Sequence, residues 1–325
     1  MNLTRRLCLA AGLAVLAGRS GAAQVLSIFG DETLQPVLAP LNALFEAAHP
    51  GVRIGMRLKP PPAGIDGIVA GVSMLAPLAH DATEGELEPY KRLFGHLPID
   101  VRIGRIGFRA PGRKSPPAVV VHADNPLRSL SMSELARVLT TGQAGGDLRR
   151  WNQLGVDAGP WRAHAIHLYG THDNGGYVTA LRASQFGNKP LAAHYEALAQ
   201  DQDVLDAVSA DRYALGIASQ GVDDSELGGA RMLALSSGAL AASTATLDEV
   251  RQGRYPLSPF LHIYLPARSR AEIAAPAREY VRLALSRQGQ QLIGAGASNP
   301  AGLVPLPPHE LAAERAKVDE PQARP

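Results

Sequence analysis

Short apolar runs typical of β-strands alternate with amphipathic segments typical of α-helices along most of the chain, and this order constrains the fold more than any other feature. Residues 25–29 form one apolar run, and residues 34–48 then place apolar side chains on one helical face. Residues 165–169 and 178–186 repeat the same order. Such an alternation is typical of α/β proteins with mostly parallel sheets. We therefore predict an α/β protein, and its length is enough for one large or two medium domains. We find no internal repeat and no long linker, and two lobes without a linker would mean that the chain crosses between them more than once.

An export signal is predicted at the N-terminus. Arg5 and Arg6 precede an apolar segment, residues 7–17, and small residues follow up to Ala23, after which we predict cleavage. The apolar segment has about half of the roughly 20 residues that cross a bilayer. Cys8 lies at the start of that segment, whereas a lipoprotein carries its cysteine at the cleavage site. We therefore expect an exported protein that is not lipid-anchored.

The cysteine count and the charge balance exclude several classes of site. Cys8 is the only cysteine, so the chain after the signal has no thiol for disulfides, thiolate metal ligands or nucleophilic catalysis. A chain with 46% hydrophobic and 19% charged residues can bury a core without disulfides. The signal contains three of the 32 Lys and Arg residues and no acidic residue, which leaves 29 basic against 30 acidic side chains. This balance gives no general basic field, so we predict that nucleic acid is not a partner.

Motifs that support catalysis are not found in the sequence. There is no Gly-x-Ser-x-Gly elbow, no P-loop and no dinucleotide fingerprint. Asp223 and Asp224 lie in a polar stretch without an evident partner base. His164 and His167 are three residues apart, which on a strand places them on opposite faces and disfavours shared metal ligation. We predict that the protein is not an enzyme and holds no metal or cofactor.

Several segments together resemble the motifs of the periplasmic phosphate-binding protein family, in the family's order and spacing. They are residues 29–36 (FGDETLQP), 119–142 with its VVVHADNPL start, 151–155 (WNQLG), 255–259 (YPLSP) and 302–306 (GLVPL). The resemblance implies a two-lobed periplasmic-binding-protein fold, each lobe a mostly parallel sheet flanked by helices. After the signal at 1–23, lobe 1 would comprise residues 24–116 and 260–325, and lobe 2 residues 117–259.

The same resemblance implies a solute held between the lobes at helix N-termini, which present unpaired N–H groups and a partial positive charge. Two loops lie between a predicted strand and a predicted helix: the first loop, residues 30–33, and the second loop, residues 170–177. The buried aspartate of the family would fall near Ser73. The predicted ligand-binding residues are Gly30, Asp31, Glu32, Thr33, Gly64, Ser73, Thr171, His172, Asp173, Asn174, Gly175, Gly176 and Tyr177.

The sequence departs from the family pattern at the residues that would hold phosphate. Thr171 occupies the position of the arginine that grips phosphate, and Gly175 and Tyr177 replace hydroxyl donors. Asp31 and Glu32 replace small neutral residues in the first loop. If both carboxylates face the ligand they repel a dianion, and a missing guanidinium removes the strongest oxyanion contact. Alternatively, one of them caps the following helix and points away.

Individual residues near the second loop also have two interpretations. Asp173 either accepts a hydrogen bond from a ligand or caps the helix that follows. Tyr177 either lines the cleft or packs under the loop. His172 is a candidate hydrogen-bond donor in the loop. We expect Trp151 and Trp161 to lie in the core.

These observations favour a monomeric periplasmic solute-binding protein that captures a small oxyanion, phosphate or a related anion, in an inter-lobe cleft. Its expected partner is an inner-membrane ABC permease. The alternative is a degenerate binding-protein fold that acts as a sensor or protein-interaction module and does not bind phosphate.

Overall fold

Helices and strands alternate through the computed structural model, which describes residues 24–31, 34–59, 63–107, 114–173, 177–220, 227–295 and 303–319. The signal prediction and the site residues Glu32, Thr33, Asn174, Gly175 and Gly176 lie outside the described residues. The helices are α1 (Gln35–Ala48), α2 (Ala63–Val69), α3 (Glu84–Phe94), α4 (Met132–Leu139), α5 (Tyr177–Gln185), α6 (Asp201–Ala210), α7 (Leu247–Arg251), α8 (Ala275–Ala284), α9 (Arg287–Ile293) and α10 (Pro308–Val318). The strands are β1 (Gln24–Asp31), β2 (Val52–Lys59), β3 (Ala76–Leu78), β4 (Ile99–Ile106), β5 (Lys114–His122), β6 (Ser129–Ser131), β7 (His167–Thr171), β8 (Tyr195–Leu198), β9 (Ala214–Gln220), β10 (Ala230–Met232), β11 (Ala234–Ser236), β12 (Phe260–Leu265) and β13 (Leu303–Val304).

Two larger sheets organise these elements. The five-stranded sheet has the order β10-β5-β9-β7-β8, in which β7 runs parallel to both neighbours while the β10–β5 and β5–β9 pairs are antiparallel. The four-stranded sheet has the order β13-β4-β12-β3 and is antiparallel in all three pairings. The α/β class is therefore confirmed, but the expectation of mostly parallel sheets is wrong. Two of the four pairings in the five-stranded sheet are antiparallel, and so is every pairing in the four-stranded sheet. Its strands come from distant parts of the chain, and hydrophobic periodicity carries no information about their direction.

Two smaller strand pairs complete the sheet structure. β1 and β2 form a parallel pair in which Gly30 lies opposite Leu58, and β6 pairs in parallel with β11. β1 and β2 flank α1, so this part of the molecule follows the strand–helix–strand order predicted from the sequence.

Two large buried clusters lie on these sheets. One gathers apolar side chains from residues 118–257 together with Val304, and the other gathers them from residues 28–103 and 261–318. Trp151 and Trp161 belong to the first cluster, where their rings meet edge to face, so their prediction as core residues is confirmed. The chain thus builds two cores, one of which draws on both ends of the described sequence.

Two predictions for the C-terminal region are wrong. Apolar periodicity predicts a single long helix over residues 271–292, but this segment forms two helices. α8 ends at Ala284, and the Ser286 hydroxyl accepts the Gly289 N–H to begin α9. The proline and charged residues after residue 306 predict a frayed tail, but this segment contains α10. Glu314 of α10 accepts the Arg102 N–H of β4 at 2.9 Å, which ties this helix to the four-stranded sheet.

A buried histidine on β12 gives the fold a testable pH dependence. The His262 ring has no exposed side-chain surface, and its Nδ1 lies 2.7 Å from Asp100 Oδ1. Burial alone would raise the pKa of Asp100, but the hydrogen bond and charge of His262 outweigh it, so this pKa lies below its usual range. A depressed carboxyl pKa stabilises the folded state above the usual pKa of aspartate, and the stabilisation is lost as the pH falls through the folded-state pKa.

We therefore expect Asp100→Asn to lower the free energy of unfolding at pH 7 by about 1.5–3 kcal/mol, the range for a hydrogen bond to a charged group. The difference from the wild type should shrink as the pH falls below about 4, where aspartate loses its charge. Urea unfolding at pH 7 and pH 3 measures both values. Asp248→Asn, which removes an exposed carboxylate paired with Arg251, is the matched control and should change little. An Asp100→Asn deficit that is equally large at both pH values would contradict this account.

Candidate functional site

The first loop begins where three elements converge on Pro77 of β3. A Cβ atom on Gly30, at the end of β1, would lie 2.5 Å from Pro77 Cγ and 2.9 Å from the Pro77 carbonyl oxygen. A Cβ atom on Gly64, in the first turn of α2, would lie 3.4 Å from the same oxygen. The structure therefore brings these two predicted residues together and leaves no space for a side chain at Gly30.

Ser73 fixes the strand that leads into the first loop. Its side chain is buried and accepts the Phe29 N–H at 2.9 Å, while its hydroxyl donates to the Leu75 carbonyl at 2.6 Å. These bonds join β1 to the segment before β3. Ser73 thus positions the first loop, and its contact with a ligand stays a prediction.

The N-terminus of α1 follows the first loop. Its N-cap residue, Leu34, has no side-chain oxygen, its first turn contains Pro36, and no acidic residue lies in that turn. The first N–H groups of α1 therefore receive no hydrogen bond from a side chain of the N-cap residue. Such a helix end attracts negative charge.

The second loop connects β7, which ends at Thr171, with α5, which begins at Tyr177. Asp173 turns back onto α5: its Oδ1 accepts the Thr179 hydroxyl at 2.5 Å, and its Oδ2 lies 3.0 Å from Arg182 Nε. This geometry favours a structural role for Asp173 at the start of the helix over a ligand contact. His172 is exposed beside it.

Two tyrosine hydroxyls donate hydrogen bonds to main-chain carbonyls at or beside the second loop. Tyr177 donates to the Ile217 carbonyl of β9 at 2.7 Å, and Tyr195 donates to the Thr171 carbonyl at 2.6 Å. Burial raises the pKa of both phenols, and the nearby carboxylate of Asp201 raises them further. Of the two interpretations of Tyr177, the one in which it packs under the loop fits this geometry.

The charged side chains near the second loop are not arranged as in a simple anion site, where a free cationic group would face the ligand. The Arg182 guanidinium is engaged, with Nε beside Asp173 and an η nitrogen bonded to Asn188. Asp201 is buried in the first turn of α6, close to the Tyr177 hydroxyl. A ligand at this loop would therefore rely on main-chain N–H groups and the Thr171 side chain, and not on a guanidinium.

Sequence reasoning missed three residues that shape the two loops: Pro77, Tyr195 and Asp201. The position of Asp201 could have been recognised from the sequence, because an acidic residue in the first turn of a helix is favoured by the helix dipole. Pro77 and Tyr195 meet the glycines of the two loops only through the tertiary fold, so no local pattern marks them.

The described ranges contain neither a metal-binding cluster nor a membrane-spanning helix. Within the described ranges no three His, Cys, Asp or Glu side chains are close enough together to hold a metal ion. The helices of the same ranges include none that is long and apolar enough to cross a membrane.

Known proteins with similar sequences and folds agree with the two-lobed architecture. A family model described as a PBP superfamily domain matches residues 17–288. The phosphate-binding protein PstS of Pseudomonas aeruginosa is 22% identical over 292 residues, which cover 89% of this chain and 85% of that protein. The crystal structure of PstS from Borrelia burgdorferi superposes with a TM-score of 0.57 at 14% identity, covering 87% of this chain and 99% of that one. An ABC-type phosphate transport receptor from Vibrio cholerae gives a TM-score of 0.54 at 18% identity, covering 83% and 97%.

Proposed function

Because this chain belongs to the PBP superfamily, we propose that it is a periplasmic solute-binding protein that captures a small oxyanion, phosphate or a related anion, without changing it chemically. The observation that carries this proposal is the pair of strand-to-helix loops: β1 leads into α1, and β7 leads into α5. Helix N-termini at the ends of sheet strands are the usual location for anions in α/β folds. The two helices belong to different buried clusters, so a ligand between them would be held from two sides.

Lobe 1 would comprise residues 24–116 and 260–325, and lobe 2 residues 117–259. The separate buried clusters support this division. At the crossing, the Ile106 N–H donates to the Pro259 carbonyl at 2.9 Å, and the Ser258 hydroxyl donates to the Ile106 carbonyl at 2.6 Å. Two crossing segments bonded side by side would act as a hinge, and a ligand that contacts both lobes would stabilise the closed population.

The choice of an oxyanion rests on the relatives named for phosphate and on the N-terminus of α1, whose first turn contains no acidic residue. The same similarity to phosphate transport receptors supports release of the bound anion to an inner-membrane ABC permease. Export by the predicted signal would place the protein, as a monomer, in the periplasm.

A second candidate function is a sensor or protein-interaction module that keeps the fold without binding phosphate. The observation in its favour is the acidic character of the second loop region, where Asp173 and the buried Asp201 lie near Thr171. The Arg182 guanidinium is already paired there. Carboxylates near the ligand would lower the affinity for a dianion.

Thermal unfolding of the mature protein tests the proposal. A ligand present at 100 times its dissociation constant stabilises the folded state by about 2.7 kcal/mol, which corresponds to a rise in Tm of a few degrees for a chain of this size. We expect this rise with millimolar phosphate, sulfate or sugar phosphates and not with sodium chloride at the same ionic strength. No rise with any of these anions would contradict oxyanion capture and favour the sensor or interaction module.

A further inference from the structure

A pocket of about 550 Å³ lies on the five-stranded sheet. Its polar lining consists of Arg149, Arg150, His167, Tyr169, His194 and Glu196. The lining follows the chain from Ala165 to Tyr169, and at its start the Arg149 carbonyl accepts the Ile166 N–H at 2.9 Å. Tyr169 is the last lining residue of this segment and directly precedes the second loop. Ile166 lies five residues before Thr171, about 16 Å along an extended chain. The end of the pocket that is lined by Arg149 and Arg150 is therefore distinct from the proposed cleft.

The parallel register of β7 and β8 places the polar side chains of these strands on one face. Tyr169 lies beside Glu196, and Leu168 beside Tyr195. Side chains alternate along each strand, so His167 and Tyr169 share a face with Glu196. His194 directly precedes β8 and lines the same pocket. Leu168 is buried in the core on the opposite face, and β8 is the edge strand of the sheet.

One end of the pocket carries two guanidinium groups with free bonding capacity. One Arg149 nitrogen lies 3.0 Å from Asp147, and one Arg150 nitrogen donates to the Ala163 carbonyl at 2.7 Å. Each guanidinium has five N–H groups, so donors are left over at both side chains. This end of the pocket suits an anionic group.

His194 lies next to the arginine end and has an unused ring nitrogen. Within the described part of the chain its Nε2 is buried and has no hydrogen-bond partner. Burial lowers the pKa of His194, and the charge of Arg149 lowers it further, which places the two groups close together. A buried polar atom without a partner is unfavourable until a ligand or water satisfies it.

The other end of the pocket offers an acceptor. Glu196 is exposed and lies on β8, two residues beyond His194 in the sequence. The neighbouring groups on β7 are already fixed: the His167 ring lies 2.6 Å from Asp211, and the Tyr169 hydroxyl donates to the same carboxylate. A ligand that spans the pocket would thus meet cationic donors at one end and a carboxylate at the other.

We propose that this pocket is a second binding site, for a small organic acid whose carboxylate meets Arg149 and Arg150 and whose hydroxyl or ammonium group donates to Glu196. His194 Nε2 would bond the ligand between these ends. The site does not depend on oxyanion capture in the cleft.

Three acids with the same three-carbon skeleton test the site. Lactate carries a hydroxyl group, alanine carries an ammonium group, and propionate carries no donor. The imidazole NMR signals of His194, assigned through His194→Gln, report binding. Lactate and alanine should bind about two- to tenfold more tightly than propionate, the value of one hydrogen bond. Glu196→Leu should abolish this difference.

The double variant Arg149→Ala, Arg150→Ala should weaken binding of all three acids by about tenfold or more, because it removes charge-assisted contacts. Arg251→Ala, which removes an exposed arginine that is likewise paired with an aspartate, is the matched control and should leave binding unchanged. Both pocket arginines are exposed, so the double variant should fold, and its Tm checks this.

Unmoved His194 signals, or equal affinities in the wild type and the double arginine variant, would overturn the site. Equal binding of lactate and propionate would overturn the assigned ligand class. A variant of Thr171 in the second loop separates this site from the cleft, since it should leave the binding of these acids unchanged. If phosphate does not stabilise the protein, this result contradicts oxyanion capture in the cleft and leaves the proposed second site unaffected.

Discussion

Thr171→Arg is expected to tighten phosphate binding by about tenfold to a hundredfold. In the phosphate-binding family that this chain resembles, the position of Thr171 carries the arginine that grips phosphate. A bidentate guanidinium contact with an oxyanion contributes about 1.5–3 kcal/mol, which corresponds to this range of affinity. The Thr171 carbonyl is held by the Tyr195 hydroxyl at 2.6 Å, so a new side chain would start from a fixed main chain.

Two further variants separate charge from size at this position. Thr171→Gln supplies a longer polar side chain without charge, and Thr171→Lys supplies the charge without the planar fork of donors. We expect phosphate affinity to rise in the order glutamine, lysine, arginine, as measured by isothermal titration calorimetry. If arginine brings no gain over glutamine, the ligand does not meet the second loop, or it is not an oxyanion.

Local chemistry made several elements predictable from the sequence. Ser131 followed three residues later by Glu134 is a pattern that predicts a capping box, and both reciprocal hydrogen bonds are present at the start of α4. The helix after β1 and the strands around it follow from apolar periodicity. These features depend on neighbours a few residues away, which is the range over which a sequence pattern is informative.

Features that leave no mark on the apolar pattern were missed. The break between α8 and α9 rests on the Ser286 hydroxyl and on Gly289, where a Cβ atom would lie 2.1 Å from the Leu283 carbonyl oxygen. The apolar pattern continues across this break and gives no sign of it. α10 is charged along its sequence, yet Glu314 is buried because it bonds the β4 main chain.

For the candidate site, the sequence located the loops but not the direction of their side chains. Asp173 and Tyr177 were assigned two interpretations each, and the choice depends on Thr179, Arg182 and Ile217, which only the fold brings near. The polar face that β7 and β8 form together was not predicted either. The sequence of one strand does not show which strand pairs with it or in which register.

Gly170→Ala is expected to destabilise the fold by about 2–4 kcal/mol and to weaken any ligand contact at the second loop. A Cβ atom at this position of β7 would lie 2.1 Å from the Tyr195 hydroxyl oxygen and 3.0 Å from Ile217 Cγ2. The tyrosine must move, which combines an overpacking cost with the loss of its hydrogen bond to the Thr171 carbonyl. Urea unfolding measures the change. Gly85→Ala in α3, where a Cβ atom meets nothing within 4 Å, is the matched control and should stabilise the protein slightly.

A double-mutant cycle with Tyr195→Phe assigns the effect to this contact. Removal of the phenol oxygen eliminates the shortest approach and leaves the ring carbon Cζ at 2.7 Å from the new Cβ atom. Gly170→Ala should therefore cost less in the Tyr195→Phe background, with a coupling of about 1 kcal/mol, as is usual for residues in direct contact. Additive effects would show that the ring does not lie under the second loop. Because the Tyr195 hydroxyl also holds the carbonyl of Thr171, the same cycle measured on the Thr171→Arg protein should show phosphate affinity falling together with stability.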